Sequence, residues 1–72
     1  MEVKFKTYIT AYRKQKKMTQ EDLSEKVGVR RETITRLEKG LYNPSLKLAM
    51  DIARVLDTDV YHLFEYPEQS GS

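Results

Sequence analysis

The sequence predicts an all-α fold of five short helices, and three observations predict it. Apolar residues recur at helical spacing in five segments along the chain. Residues that start helices, such as Thr19, precede these segments, and residues that end or block helices, such as Gly28, Gly40 and Pro44, follow them. The chain has 72 residues and no cysteine, so its one small core must rely on helix packing or on a partner subunit.

The first helix is predicted over residues 8–16, with Thr7 as its N-cap. Ile9 and Tyr12 face the core in this prediction, and basic residues gather near the C-terminal end, where cations suit the helix dipole. Ahead of this helix, residues 1–6 alternate apolar and polar side chains. That pattern is typical of a short edge strand or an extended arm.

The second and third helices are joined by a tight turn. Thr19 is a suitable N-cap for a helix over residues 20–27, with Asp22 in the capping-box position. Gly28 supplies the left-handed residue that ends this helix. The third helix is predicted over residues 31–39 and ends at Gly40.

Two further helices follow a loop. Pro44 blocks continuation of the third helix, and Ser45 caps a fourth helix over residues 46–56, whose apolar positions follow the helical period. Asp59 caps a short fifth helix over residues 60–64.

The charge is unevenly distributed along the chain. Residues 1–40 carry eleven Lys/Arg and six Asp/Glu, a net charge of +5, whereas residues 41–72 carry two and five, a net charge of −3. The positive half contains the second and third helices, where basic residues would neutralise phosphates. The alternative is that they form ordinary solvated helix faces. We assign residues 1–67 to one domain and residues 68–72 to a disordered polar tail.

Several classes of function find no support in the sequence. No run of about 18 apolar residues exists to span a membrane, and no signal-peptide core precedes the domain, so we expect a cytoplasmic protein. His62 is the only histidine, which is poor support for a metal site. Neither a Gly-rich phosphate loop nor a nucleophile–base pair is present, so we expect no enzyme, no cofactor and no small-molecule ligand.

The third helix combines an apolar side with a polar one. At about 100° per residue, Ile34 and Leu37 lie opposite a set of polar side chains. A DNA major groove accepts a helix of this kind, because arginine matches guanine O6 and N7, a carboxylate accepts from cytosine, and a threonine methyl contacts thymine. For Glu32 and Arg36 the alternative is a surface ion pair at i,i+4. The polar set is Glu32, Thr35, Arg36 and Lys39, and Arg31 lies to one side of it at the start of the helix.

Four segments, TQEDLS (19–24), VGV (27–29), TITRLEKG (33–40) and NPSL (43–46), resemble the phage-repressor and Cro-like helix-turn-helix family, also called the XRE family, of DNA-binding transcriptional regulators. The resemblance covers roughly residues 8–64. It implies a five-helix lambda-repressor-like domain that binds a palindromic operator, usually as a two-fold dimer, and represses transcription.

The resemblance also implies roles for individual residues. Base-contacting positions are Arg31, Glu32, Thr35 and Arg36. Phosphate-contacting positions are Gln20, Lys39, Tyr42 and Asn43, to which we add Arg30, whose alternative is a solvated turn residue. Arg13 and Glu38 match a family ion pair that ties the first helix to the third. Three positions depart from the family: Arg30 stands where a capping Ser or Thr is common, and Lys17 and Asp57 stand where a helix-ending Gly is common.

Self-association is expected at the C-terminal end of the domain. The predicted dimer interface consists of Tyr61, Leu63, Phe64 and Tyr66. Residues 3–5 and 64–66 would form a small strand pair. The competing hypothesis is an antitoxin or co-regulator whose main partner is another protein, and a neighbouring toxin gene would favour it.

Overall fold

A computed structural model describes residues 5–67 of the chain. This part consists of five helices and a two-stranded antiparallel sheet, which confirms the predicted all-α class with a small terminal strand pair. No helix among residues 5–67 is long and apolar enough to cross a membrane. In chain order the elements are β1 (Lys6–Thr7), α1 (Ile9–Gln15), α2 (Gln20–Val27), α3 (Arg31–Glu38), α4 (Leu46–Val55), α5 (Val60–Leu63) and β2 (Phe64–Glu65).

Helix α2 begins with a complete capping box. The Thr19 hydroxyl accepts a hydrogen bond from the Asp22 backbone N–H, and the Asp22 carboxylate accepts one from the Thr19 N–H, each at 3.0 Å. Ser45 and Asp59 accept hydrogen bonds in the same way at the starts of α4 and α5. The three predicted N-caps are therefore confirmed.

The predicted cap of α1 is wrong. Tyr8 occupies the N-cap position and makes no side-chain capping bond, so α1 begins at Ile9. Thr7 belongs to β1 instead, and its hydroxyl donates to the Glu38 backbone oxygen at 3.2 Å. A contact across 31 positions thus takes the place of a local one.

The helices α3, α4 and α5 each end one residue earlier than predicted. In α3 and α4 the last predicted residue is the C-cap, whereas Phe64 after α5 takes extended backbone angles and enters β2. Lys17 and Asp57 have φ of 58° and 60°, the left-handed region that glycine would occupy without strain. The family's turn geometry is therefore kept at both positions.

In the core, helix α2 packs against both α3 and α4. Ile34 and Leu37 bury the inner side of α3, so the orientation of this helix is fixed by the core. The fully buried side chains are Ile9, Leu23, Ile34, Leu37, Ile52, Leu56 and Leu63.

The two strands bring both ends of the domain together. Lys6 pairs with Glu65 and Thr7 pairs with Phe64, so β1 begins later than the predicted residues 3–5. Residues 3 and 4, like the predicted tail at 68–72, lie outside the described residues. We call residues 5–7 together with residues 64–66 the terminal ribbon.

Candidate nucleic-acid interface

The outer side of α3 and its N-cap present exposed, mostly charged side chains. Arg30 at the N-cap is extended and makes no side-chain capping bond, and Arg31, Glu32 and Arg36 are exposed. Arg31 lies 4.0 Å from the Glu21 carboxylate. Among residues 5–67, neither Glu32 nor Arg36 takes part in an ion pair within 4.0 Å, so the predicted alternative of an i,i+4 pair is wrong.

Thr35 and Gln20 are linked to each other rather than free. The Thr35 hydroxyl lies 3.1 Å from the Gln20 amide oxygen and 3.2 Å from the Arg31 backbone oxygen, and it can donate to either. The Gln20 amide nitrogen donates to Glu38 at 2.9 Å. The start of α2 is therefore bonded to the middle and to the C-terminal end of α3.

Glu38 is the centre of this polar network. The Arg13 guanidinium donates from Nε to one Glu38 oxygen at 2.7 Å and from Nη2 to the other at 3.2 Å. The two side chains are only 10% and 7% exposed. Arg13 Nη1 also donates to the Met18 backbone oxygen at 2.9 Å, so the predicted ion pair joins α1, α3 and the turn after α1.

The pKa of Glu38 reflects this environment. Burial raises it, but the hydrogen bonds from Arg13, Gln20 and Thr10 outweigh burial, so the pKa lies below its usual value of 4.5. The carboxylate thus stays ionised at neutral pH and continues to accept all of these bonds.

The loop between α3 and α4 carries the predicted phosphate contacts. Lys39, Tyr42 and Asn43 are exposed, as a backbone-contacting set requires. The Asn43 amide oxygen accepts a hydrogen bond from the Tyr66 hydroxyl at 2.5 Å. This bond joins residues 23 positions apart, so no local pattern in the sequence predicts it.

The C-terminal end of α3 rests on the terminal ribbon. Gly40 has a φ of +72°, and a Cβ added there would lie 2.0 Å from the Phe5 backbone oxygen. The Phe5 ring stacks on Tyr66 with centroids 4.5 Å apart. The ribbon therefore contacts both the end of α3 and the loop that follows it.

An exposed apolar face lies on α4 and α5. Tyr61 is 93% exposed and Leu46 is 72% exposed, and Met50 and Tyr66 lie about half in solvent. Leu63, which we predicted for the dimer interface, is 0% exposed and belongs to the core, so that prediction is wrong. Phe64 is half-buried and packs against the core. We call Leu46, Met50, Tyr61 and Tyr66 the apolar face.

The contribution of α4 to this face was missed from the sequence. Leu46 and Met50 stand four residues apart on one helix, so they share a side of it. That spacing extends the apolar side of α4 beyond the buried Leu48 and Ile52. It is the sequence feature from which this part of the apolar face could have been predicted.

No candidate metal site is present in the described part of the chain. Residues 5–67 contain no group of three or more His, Cys, Asp and Glu side chains placed to hold a metal ion. His62 lies with Nδ1 2.8 Å from the Asp59 carboxylate, in the first turn of α5.

A helix-turn-helix family model matches residues 9–63, which include all five helices. The chain belongs to the XRE-type helix-turn-helix family of DNA-binding transcriptional regulators. An uncharacterised HTH-type transcriptional regulator of Archaeoglobus fulgidus is 53% identical over 64 residues, which cover 89% of this chain and 90% of that protein.

Solved structures of SinR, a protein of Bacillus subtilis, show the same fold. SinR, described as the master regulator for biofilm formation and solved in complex with DNA, is 35% identical with a TM-score of 0.67, covering 74% of this chain and 86% of that chain. A SinR–SinI protein complex gives 35% identity and a TM-score of 0.68, covering 74% of this chain and 52% of that chain.

Proposed function

We propose that the chain binds duplex DNA in a sequence-specific way by placing the exposed side of α3 in the major groove. One observation carries this proposal: α3 is locked by Ile34 and Leu37 on its inner side while Arg31, Glu32 and Arg36 stay exposed. A rigid helix with unengaged donors and acceptors suits base recognition, since little order is lost on binding. The SinR complex with DNA supports the proposal.

The base contacts divide by chemistry. Arg31 and Arg36 are suited to guanine, and Glu32 is suited to the amino group of cytosine. The hydroxyl of Thr35 already has two acceptors within reach, so we propose that its methyl group contacts thymine.

The phosphate contacts surround this helix. Arg30, Lys39, Tyr42 and Asn43 are exposed at the two ends of α3 or beyond it. The Gln20 amide nitrogen uses one N–H for Glu38, which leaves its second N–H for a phosphate oxygen. These contacts fix the register of α3, whereas the base contacts select the sequence.

We further propose that two copies associate through the apolar face and bind a palindromic operator. Recognition helices in such a dimer lie about 34 Å apart, one turn of DNA. In this dimer, only the exposed part of the Phe64 side chain contributes to the interface. Occupation of an operator that overlaps a promoter would repress transcription, and a DNA partner would place the protein in the cytoplasm.

The DNA proposal is tested by selecting bound fragments from the source genome and measuring their affinity by fluorescence anisotropy. Arg36→Ala should weaken binding to the selected fragment by about 1–3 kcal/mol and relax the sequence preference of the protein. Arg54→Ala, an exposed arginine on α4, is the control and should change little. Equal loss on selected and random duplexes would make Arg36 a phosphate contact instead.

The dimer proposal is tested by sedimentation. Leu46→Glu places a charge on the apolar face without touching the core, so it should shift a dimer toward monomer. Gln15→Glu, exposed on α1, should leave the mass unchanged. A wild-type monomer would overturn the proposal.

A second candidate function rests on the same apolar face. The face could instead receive a different protein, as expected of an antitoxin or co-regulator, and SinR was solved in complex with SinI. A wild-type monomer whose DNA binding survives Leu46→Glu would favour this candidate.

A further inference from the structure

Building on the proposed DNA-binding function, we propose that Tyr66 is a positioning residue that orients the Asn43 side chain for phosphate contact. The hydrogen bond between them joins the apolar face to the loop after α3. Tyr66 therefore serves two surfaces at once, the predicted interface between copies and the predicted contact with the DNA backbone.

The hydrogen bond from Tyr66 fixes the direction of the Asn43 side-chain amide. The Tyr66 hydroxyl donates to the Asn43 amide oxygen at 2.5 Å, which occupies the acceptor end of the amide. Both N–H donors of the amide nitrogen are left over. Phosphate oxygens accept hydrogen bonds, so this orientation presents the end of the amide that a phosphate requires.

Tyr66 is itself held in place by its packing. Its ring stacks on Phe5 with centroids 4.5 Å apart and an angle of 17° between the planes. The Phe5 backbone lies against Gly40, the residue that ends the turn after α3. The hydroxyl is thus held in place relative to the recognition helix itself.

The Tyr66 hydroxyl keeps its proton. Burial raises the pKa of the Tyr66 phenol above its usual value of 10.0. The hydroxyl remains protonated at every physiological pH and so remains a donor.

A consequence follows for the dimer. Tyr66 borders a groove with Leu46, Tyr61 and Pro44, and Pro44 directly follows Asn43. A second copy packed on this groove would hold the Tyr66 ring and thereby the loop. Dimer formation and phosphate contact should therefore strengthen each other.

The experiment is a double-mutant cycle with Tyr66→Phe and Asn43→Ala, measured by anisotropy on a mixed-sequence duplex and on the selected fragment. Tyr66→Phe keeps the ring and removes only the hydroxyl. It should therefore lower the affinity for both duplexes about three- to tenfold and leave the ratio of the two affinities unchanged. In the Asn43→Ala background the same change should have no further effect. Tyr12→Phe, at a hydroxyl on α1 with no hydrogen-bond partner among residues 5–67, is the control and should leave both affinities unchanged.

A direct readout of the hydrogen bond is the NMR signal of the Asn43 side-chain amide without DNA. Tyr66→Phe should move that signal while the melting temperature and the mass stay as in the wild type. Additive losses in the cycle, or an unmoved Asn43 signal, would overturn this inference alone. If the wild type binds neither duplex, the proposed function fails and this inference fails with it.

Discussion

The two ends of α3 differ in how the rest of the chain holds them. At the C-terminal end, Glu38 is buried, accepts hydrogen bonds from three side chains, and is followed by Gly40 packed against the terminal ribbon. At the N-terminal end, Arg30 provides no cap, and Arg31 and Glu32 extend into solvent. One end is anchored in the fold, and the other is left for a partner.

This difference shows how a domain of 72 residues can be both stable and receptive. Polar groups are satisfied where they are buried, so Arg13 and Glu38 set the orientation of the helix. Polar groups are left without protein partners only where solvent, or a ligand, can satisfy them. The following substitutions test this separation, beginning with the largest expected effect.

Glu38→Ala should destabilise the domain most. It leaves the buried Arg13 guanidinium without its carboxylate, at a cost of about 3–5 kcal/mol. Glu32→Ala, the same change at the exposed end of α3, should alter the free energy of unfolding by less than about 0.5 kcal/mol. Urea denaturation of both variants measures the contrast, and similar losses would remove the distinction between the two ends.

Gly40→Ala should have the second-largest effect on the free energy of unfolding. Left-handed backbone costs a residue with a Cβ about 1–2 kcal/mol, and the new Cβ must also displace the Phe5 backbone. Gly28→Ala meets open space and carries only the backbone cost. We expect Gly40→Ala to be worse by at least about 1 kcal/mol in chemical denaturation. Equal costs would mean that the terminal ribbon does not brace α3.

Arg30→Ser should stabilise the domain while weakening DNA binding. A serine at this position caps α3 and contributes about 1 kcal/mol, whereas Thr19→Ala at the capped start of α2 should remove about as much. If Arg30 contacts a phosphate, the slope of log affinity against log salt should also fall by about 0.9. A gain in stability with an unchanged slope would leave Arg30 as a solvated turn residue.

The smallest expected effect is the pH dependence that Glu38 contributes. Because its pKa is lower in the folded than in the unfolded chain, its stabilisation is complete above pH 4.5 and is lost as the pH falls through the folded value. Glu38→Gln should therefore be less stable than the wild type at pH 7, and the difference should shrink in acid. Thermal melts of Glu38→Gln and the wild type at several pH values check this.

Local signals in the sequence were sufficient for the helices and for three of their caps. Thr19, Ser45 and Asp59 act through hydrogen bonds three residues away, which spacing alone can reveal. The Arg13–Glu38 pair came from the family resemblance, since its residues are 25 positions apart. The bond from Thr7 to Glu38 spans 31 positions, so local signals predict an N-cap at Thr7 that the residue does not form.

The candidate site was less accessible from the sequence. An amphipathic pattern identifies the exposed side of α3, but it does not reveal which exposed side chains already have partners. Thr35 and Gln20 look free in the sequence and are bonded to each other in the fold. The Tyr66–Asn43 bond and the burial of Leu63 depend on how the terminal ribbon closes, which no local pattern encodes.

The closure of the terminal ribbon also has a consequence during synthesis. Lys6 pairs with Glu65, so the first strand must wait for a partner made 59 positions later. At about 5–20 residues per second, this interval lasts roughly 3–12 s on the ribosome. The Phe5 ring has no Tyr66 to stack on in that time. A nascent chain can form its helices early, but α3 gains its C-terminal brace only after β2 has left the ribosome.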